Sequence, residues 1–182
     1  MNAWWDDSSG FEIGDICNFR YQQLNGYTVQ LEWSNRSNAC ILTPFQRTGQ
    51  VGGSGGAAFA DDLTGVQRLT GLTIRHGKFV DALRCSWQMT DGSTRMGAQH
   101  GGNGGTQDVI TFATGENIVG ISGRSGAYID QLVITTNTAT YGPYGGNGGS
   151  PFNLGPVAAQ TIGFFGRSGL YLDALGAISL TH

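Results

Sequence analysis

A nine-residue phrase written three times constrains this chain more than any other feature. Arg75-His76-Gly77-Lys78-Phe79-Val80-Asp81-Ala82-Leu83 returns as Arg124-Ser125-Gly126-Ala127-Tyr128-Ile129-Asp130-Gln131-Leu132, and again as Arg167-Ser168-Gly169-Leu170-Tyr171-Leu172-Asp173-Ala174-Leu175. Each copy follows a glycine cluster: Gly52-Gly53-Ser54-Gly55-Gly56, Gly101-Gly102-Asn103-Gly104-Gly105 and Gly145-Gly146-Asn147-Gly148-Gly149. From Gly56 to Asp81 is 25 residues, from Gly105 to Asp130 is 25, and from Gly149 to Asp173 is 24. A repeat this regular implies one supersecondary unit used three times, with one candidate site per copy.

The clusters begin 49 and then 44 residues apart, room for roughly four strands of ~5–6 residues with their turns. Ile118-Val119-Gly120-Ile121-Ser122 and Gln131-Leu132-Val133-Ile134-Thr135-Thr136 are β-branched runs bounded by Gly or Asn, the usual strand punctuation. No stretch sustains the i, i+3, i+4, i+7 apolar spacing of a helix. Charged residues are only 13% and glycines number 31 of 182, which suits a turn-rich all-β protein. Three such units fit a β-trefoil, a β-prism or part of a propeller. A propeller needs at least ~4 blades, and no Gln-x-Trp recurs in phase as a trefoil would have it. The expected fold is therefore a β-prism.

The net charge of −3 and the lack of any Lys/Arg run argue against nucleic acid or an acidic membrane surface as partner. No apolar run reaches the ~18 residues of a spanning helix, so no membrane insertion is expected. The start, Met1-Asn2-Ala3-Trp4-Trp5-Asp6-Asp7, is acidic and aromatic and does not read as a signal peptide. Cys17 and Cys40 flank a hairpin-like stretch and are able to pair in an oxidising compartment. Cys85 alternates with Leu83 and Trp87 on one strand face, where a buried, inert thiol is expected. Asn35-Arg36-Ser37 is the one glycosylation sequon. Cytoplasmic and extracellular locations both stay open.

Residues 1–44 stand outside the repeat and form an extension, with the repeat-bearing domain over 45–182. The extension holds a turn-rich Asp6 to Gly10 and a strand-like Tyr27-Thr28-Val29-Gln30-Leu31-Glu32-Trp33. Phe11-Glu12-Ile13-Gly14-Asp15-Ile16-Cys17, with Glu32-Trp33-Ser34-Asn35 and Cys40, resembles the tail of a secreted protease-like domain. It brings no metal-binding His-Glu motif, and a structural cap or a remnant of a larger gene is the preferred reading.

Glycine clusters permit positive φ and let a ligand approach backbone N–H groups with no Cβ in the way. An aspartate supplies a fixed carboxylate that only accepts. Together they suit a vicinal polyol such as a sugar ring, whose hydroxyls donate to the carboxylate while their oxygens accept from amides. No Lys follows the glycines as a phosphate loop would require. Phe79, Tyr128 and Tyr171 share a side with the Gly and Asp by alternation, with packing favoured over stacking on a sugar.

Tyr141-Gly142-Pro143-Tyr144-Gly145-Gly146-Asn147-Gly148-Gly149-Ser150-Pro151-Phe152, followed by Gly163-Phe164-Phe165-Gly166-Arg167-Ser168-Gly169-Leu170-Tyr171-Leu172-Asp173-Ala174-Leu175-Gly176, resembles the mannose-binding jacalin-related lectins over roughly residues 45–182. With its extra N-terminal segment the chain is similar to a fungal member of that family. The resemblance implies a β-prism I fold of three four-stranded Greek-key sheets with pseudo-threefold symmetry. It also implies metal-independent binding of mannose or glucose, with no cofactor, and mannose-containing glycans and glycoproteins as partners. In the family a Gly-x-x-x-Asp loop works with a glycine loop from the neighbouring sheet. Carried over, Asp173 and the amides of Leu170 and Tyr171 join Gly56. Asp81 with Lys78 and Phe79 joins Gly105, and Asp130 with Ala127 and Tyr128 joins Gly149. Galactose-type relatives are cleaved so that a glycine of the first loop is a free N-terminus. Here Gly52 continues back through Val51 and Gln50, which places the chain with the mannose class.

An enzyme would need a nucleophile with its base, or a carboxylate pair ~5–9.5 Å apart. The three aspartates lie in separate repeats. His76 and His100 approach one another only if the second site assembles, and two histidines fall short of zinc's three or four ligands. The expectation is a lectin without catalytic or metal residues, with up to three shallow sites, each of strength on the order of mM to tens of μM. The alternative is a non-catalytic targeting or structural module of a larger secreted protease-like protein.

Overall fold

The computed structural model describes residues 5–6, 10–11, 22–24, 27–34, 39–156 and 160–180, with side-chain positions over 45–155 and 160–180. By internal contacts the chain divides into Met1–Phe45 and Gln46–His182. In the first unit β1 (Trp5–Asp6) pairs with β2 (Gly10–Phe11), and β3 (Gln22–Leu24) pairs with β4 (Tyr27–Ser34). The strand-like run at Tyr27 thus forms a strand. It pairs antiparallel with β5 (Ala39–Arg47), from Thr28↔Phe45 to Ser34↔Ala39. The Cys17–Cys40 pairing lies outside the described residues.

The second unit holds three antiparallel sheets. The first is built from both ends of the unit: β6 (Val51–Gly52) and β7 (Ala57–Ala60) flank β17 (Gln160–Ser168) and β18 (Leu172–Leu180), in the order β6-β18-β17-β7. The second contains β8 (Val66–His76), β9 (Val80–Met89), β10 (Thr94–Met96), β11 (His100–Gly101) and β12 (Thr106–Thr111). Its outer strand is split, so β10 and β11 both pair with β9 while β12 pairs with β8. The third runs β15-β14-β13-β16, from β13 (Ile118–Ser125), β14 (Ile129–Thr136), β15 (Thr140–Gly145) and β16 (Ser150–Pro156). In every sheet a central hairpin is flanked by two outer strands joined across the sheet's end, which is the expected Greek-key prism. The central strands exceed the expected length: β8 has 11 residues and β9 has 10. They run the full height of the core, and bulges at Leu69/Gly71 and Arg75/His76 hold their register while the strands coil.

Burial follows the period of two. In β14, Asp130, Leu132, Ile134 and Thr136 are buried in alternation after a buried Ile129; from the other central strands the core takes Leu72, Ile74, Leu83, Trp87, Ile162, Phe164 and Leu172. β18 breaks the alternation, with eight successive buried residues from Leu172 to Ser179. Its second face is covered by the Phe165 ring, which occupies the space a Cβ would need at Gly176. Leu83, Cys85 and Trp87 share a buried face as expected, each 1% exposed.

Two polar clusters stitch these parts. Asp61, just after β7, accepts from Phe164 N (2.9 Å) and from the Cys85 thiol (3.2 Å) through Oδ2, and its Oδ1 meets His100 Nε2 at 2.8 Å. Trp87 Nε1 donates to Ile162 O at 2.6 Å, so the first and second sheets are joined by polar bonds inside an apolar seam. Burial, with the Asp61 charge beside it, pushes the Cys85 thiol well above its ordinary value, so it is no nucleophile. In the third sheet Glu116 accepts from Ala113 N (2.9 Å), Thr136 Oγ1 (2.7 Å) and Tyr141 Oη (2.8 Å). The Ala113 amide above all, then the hydroxyls, lower its carboxyl from 4.5 to about 2.

Two outcomes follow. Iodoacetamide on the folded protein leaves the Cys85 peptide unmodified by mass spectrometry, and urea exposes it to labelling. The stabilisation from Glu116 is complete above pH 4.5 and is lost as pH falls through about 2. Glu116→Gln is accordingly less stable than the parent at neutral pH in urea melts, and the gap closes below pH 4.5.

Candidate functional site

The aspartate of each copy is the second residue of its sheet's second central strand: Asp81 in β9, Asp130 in β14, Asp173 in β18. The residues on either side in the core, Val80 and Leu83, Ile129 and Leu132, Leu172 and Leu175, are buried, and the register shifts at Arg75/His76, Arg124/Ser125 and Arg167/Ser168 interrupt the simple alternation where the aspartate stands. The aspartate lies beneath the glycine cluster crossing the end of the same sheet. Gly53, Gly102 and Gly146 donate to the carbonyls of Asp173, Asp81 and Asp130 at 2.8, 3.0 and 2.8 Å. The last two glycines then pass directly over the carboxylate. A Cβ at Gly104 would stand 2.6 Å from Asp81 Oδ1, and one at Gly105 2.6 Å from Oδ2. Gly55 and Gly56 meet Asp173 in the same way, as Gly148 and Gly149 meet Asp130. Gly56, Gly105 and Gly149 have φ of +60°, +63° and +60°, so both the backbone turn and the close approach require glycine.

The structure therefore brings together Asp173 with Gly56, Asp81 with Gly105 and Asp130 with Gly149. One expectation is corrected: the glycine loop belongs to the same sheet as its aspartate, because the two outer strands must connect across that sheet's own central hairpin. The neighbouring sheet touches the loop's near side instead. Gly53 packs on the Ala127 carbonyl, Gly102 on that of Leu170 and Gly146 on that of Lys78. Each hairpin tip is thus wedged between its own glycine loop and the next.

The arginine that opens each copy is a site residue that sequence reading passed over. Arg75 donates from Nε to Gly104 O (2.8 Å) and from Nη2 to Asn103 O (2.8 Å) and Gly105 O (3.1 Å). Arg124 binds Gly148 O and Gly149 O, both at 2.7 Å, and Arg167 binds Gly55 O and Gly56 O, both at 2.7 Å. These forks hold the glycine loops by their carbonyls. The signal was present: each arginine precedes its aspartate by six residues.

Asp81, Asp130 and Asp173 are only 6%, 6% and 5% exposed, yet among the described residues no protein group donates to their carboxylates. Around them the amides of Lys78 and Phe79, Ala127 and Tyr128, Leu170 and Tyr171, and of Gly56, Gly105 and Gly149 make no bond with another described residue. The hairpin tips are fixed: Gly77 N, Gly126 N and Gly169 N each donate to the carbonyl two residues on, at 2.9 Å. An acceptor without donors and donors without acceptors, fixed side by side, form a site for a molecule that offers both.

Phe79, Tyr128 and Tyr171 do pack rather than face a ligand. Their rings meet pairwise with centroids 5.1, 5.2 and 5.1 Å apart, tilted or edge-on, and close the pseudo-threefold axis. His76 and His100 turn to different partners. His76 Nε2 meets Asp108 at 2.6 Å and its Nδ1 accepts from Gly145 N at 3.3 Å, whereas His100 stacks on Phe59 at 3.9 Å beside Asp61. Among the described residues no group of three or more His, Cys, Asp or Glu is placed to hold a metal ion.

Comparison with known proteins gives the family. The model of the Jacalin-like lectin domain matches residues 48–178. An agglutinin of Castanea crenata is 34% identical over 138 residues, 70% of this chain but 44% of the relative, so the chain spans less than half that protein's length. The solved structure of a mannose-binding jacalin-related lectin from Ananas comosus is similar with a TM-score of 0.68 and 36% identity, covering 76% of this chain and 99% of that one. A mannose-specific jacalin-related lectin from Morus nigra, solved in complex with mannose, gives 0.67 and 31%, covering 75% and 94%. Three Greek-key sheets around one core, and a family match over most of the chain, lead to one conclusion: this chain belongs to the jacalin-like lectin family.

Proposed function

We propose that the chain is a non-catalytic lectin recognising mannose- or glucose-type sugars, high-mannose glycans and their glycoproteins foremost, through up to three shallow metal-independent sites. The observation that carries this is the set of three nearly buried carboxylates that receive no protein donor. Leaving a buried charge unpartnered is costly, and adjacent sugar hydroxyls supply the missing donors while accepting from the free amides. Two similar structures are of lectins described as mannose-binding and mannose-specific. The first glycine loop is continuous with Val51, which pairs with Leu175, in keeping with the uncut mannose class. The relatives reported above are plant proteins, so the likeness to a fungal member rests on the N-terminal segment alone. A targeting module of a protease-like protein is not favoured, since the fold and the named relatives are those of lectins.

One sugar on a polar surface site exchanges water bonds for protein bonds, so each site is expected in the range of mM to tens of μM, about −4 to −6 kcal/mol. Engaging several branches of one glycan raises avidity without new contacts. Calorimetry with methyl α-mannoside is expected to give a stoichiometry near three, unchanged by EDTA and absent with galactose. Asp173→Ala lowers the stoichiometry by one and preserves the near-UV circular dichroism of the fold; no heat with mannoside in the parent would reject the reading. Arg124→Ala releases the Gly148 and Gly149 carbonyls and weakens that one site about tenfold, ~1.4 kcal/mol, as a distinct low-affinity step in the titration.

A further inference from the structure

The three sites repeat in backbone but not in what lies between them. The second residue of each hairpin tip is exposed, and its carbonyl packs on the next glycine loop. Lys78 therefore lies between the Asp81 site and the glycine loop of the Asp130 site, Leu170 between the Asp173 and Asp81 sites, and Ala127 between the Asp130 and Asp173 sites. Lys78 is the one lysine of the sequence. Its ammonium stands 5.4 Å over the Phe79 ring, beside the axial aromatic cluster, and no described carboxylate lies within ion-pair distance of it. The arginines of the same face are committed to the glycine-loop carbonyls. His76 is paired with Asp108. Among the described residues Lys78 is thus the cation of this face left to meet a ligand.

We propose that Lys78 makes the ground between the Asp81 and Asp130 sites a subsite for a tetrahedral oxyanion, so that mannose-type glycans bearing a phosphate or sulfate ester bind there in preference to neutral ones. This rests on the reading of the chain as a mannose-type lectin. The Asp81 and Asp130 carboxylates repel an anion inside either site, so the ester belongs to a neighbouring sugar of a branched or polymeric ligand, not to the ring in the site. Cation and ester meet in water, and the gain is that of an exposed ion pair, about two- to fivefold per contact.

The test compares neutral, phosphorylated and sulfated mannan by biolayer interferometry on the full chain. The parent is expected to bind an acidic mannan at least about twofold more tightly than the neutral one, and raising NaCl to about 0.5 M removes the difference by screening. A gain with one ester alone identifies that ester as the ligand. Lys78→Met abolishes the acidic preference, Lys78→Arg retains it, and Leu170→Lys enlarges it by charging a second gap. Equal affinity of the parent for all three mannans overturns the subsite and leaves the lectin reading standing, as does a preference that survives Lys78→Met. Absence of binding to every mannan overturns both.

Discussion

Closure of the first sheet by strands from opposite ends of the domain is the constraint on which the rest depends. β6 and β7 supply the outer strands, and β17 and β18, more than a hundred residues later, supply the central hairpin. Only with that hairpin in place do the three central pairs surround one core, with Trp87, Phe164, Ile121, Ile134 and Leu172 excluded from water. The apolar seam supplies the driving force. Asp61 and Trp87 give it register, because their buried polar atoms find partners only when the first and second sheets meet correctly.

The site is a by-product of the same closure. A Greek-key sheet has to carry its chain across the end of the central hairpin, and that crossing is the glycine loop. The strand beneath it starts with a core residue followed by aspartate, and the last two glycines of the loop lie directly over that carboxylate. The arginine fork then fixes the loop from outside. Preorganisation of this kind reduces the ordering cost of binding, which matters where each contact is worth little. The backbone arrangement is repeated three times while Lys78, Ala127 and Leu170 differ at the tips.

Several of the chain's charges serve such internal roles. Glu116 holds the Ala113 amide, Thr136 and Tyr141 at one loop of the third sheet. Asp61 unites a thiol, an imidazole and a backbone amide.

The triplicate repeat, the strand-rich composition and the glycine–aspartate chemistry could be read from residues alone. So could the buried face of Leu83, Cys85 and Trp87, because alternation is a local property of the strand. The role of Arg75, Arg124 and Arg167 could not, although their spacing was plain, because their partners are backbone carbonyls; Arg167 and Gly55 are 112 residues apart in sequence. Packing of Phe79, Tyr128 and Tyr171 against one another, and the separate partners of His76 and His100, likewise depend on where three sheets meet. The sequence by itself determined how many copies of the glycine–aspartate motif there are and which residue types each copy holds, since residue type and period are local. Only the tertiary structure decided that each aspartate works under its own sheet's glycine loop, and which side chain fills each gap between sites, since long-range closure sets those distances.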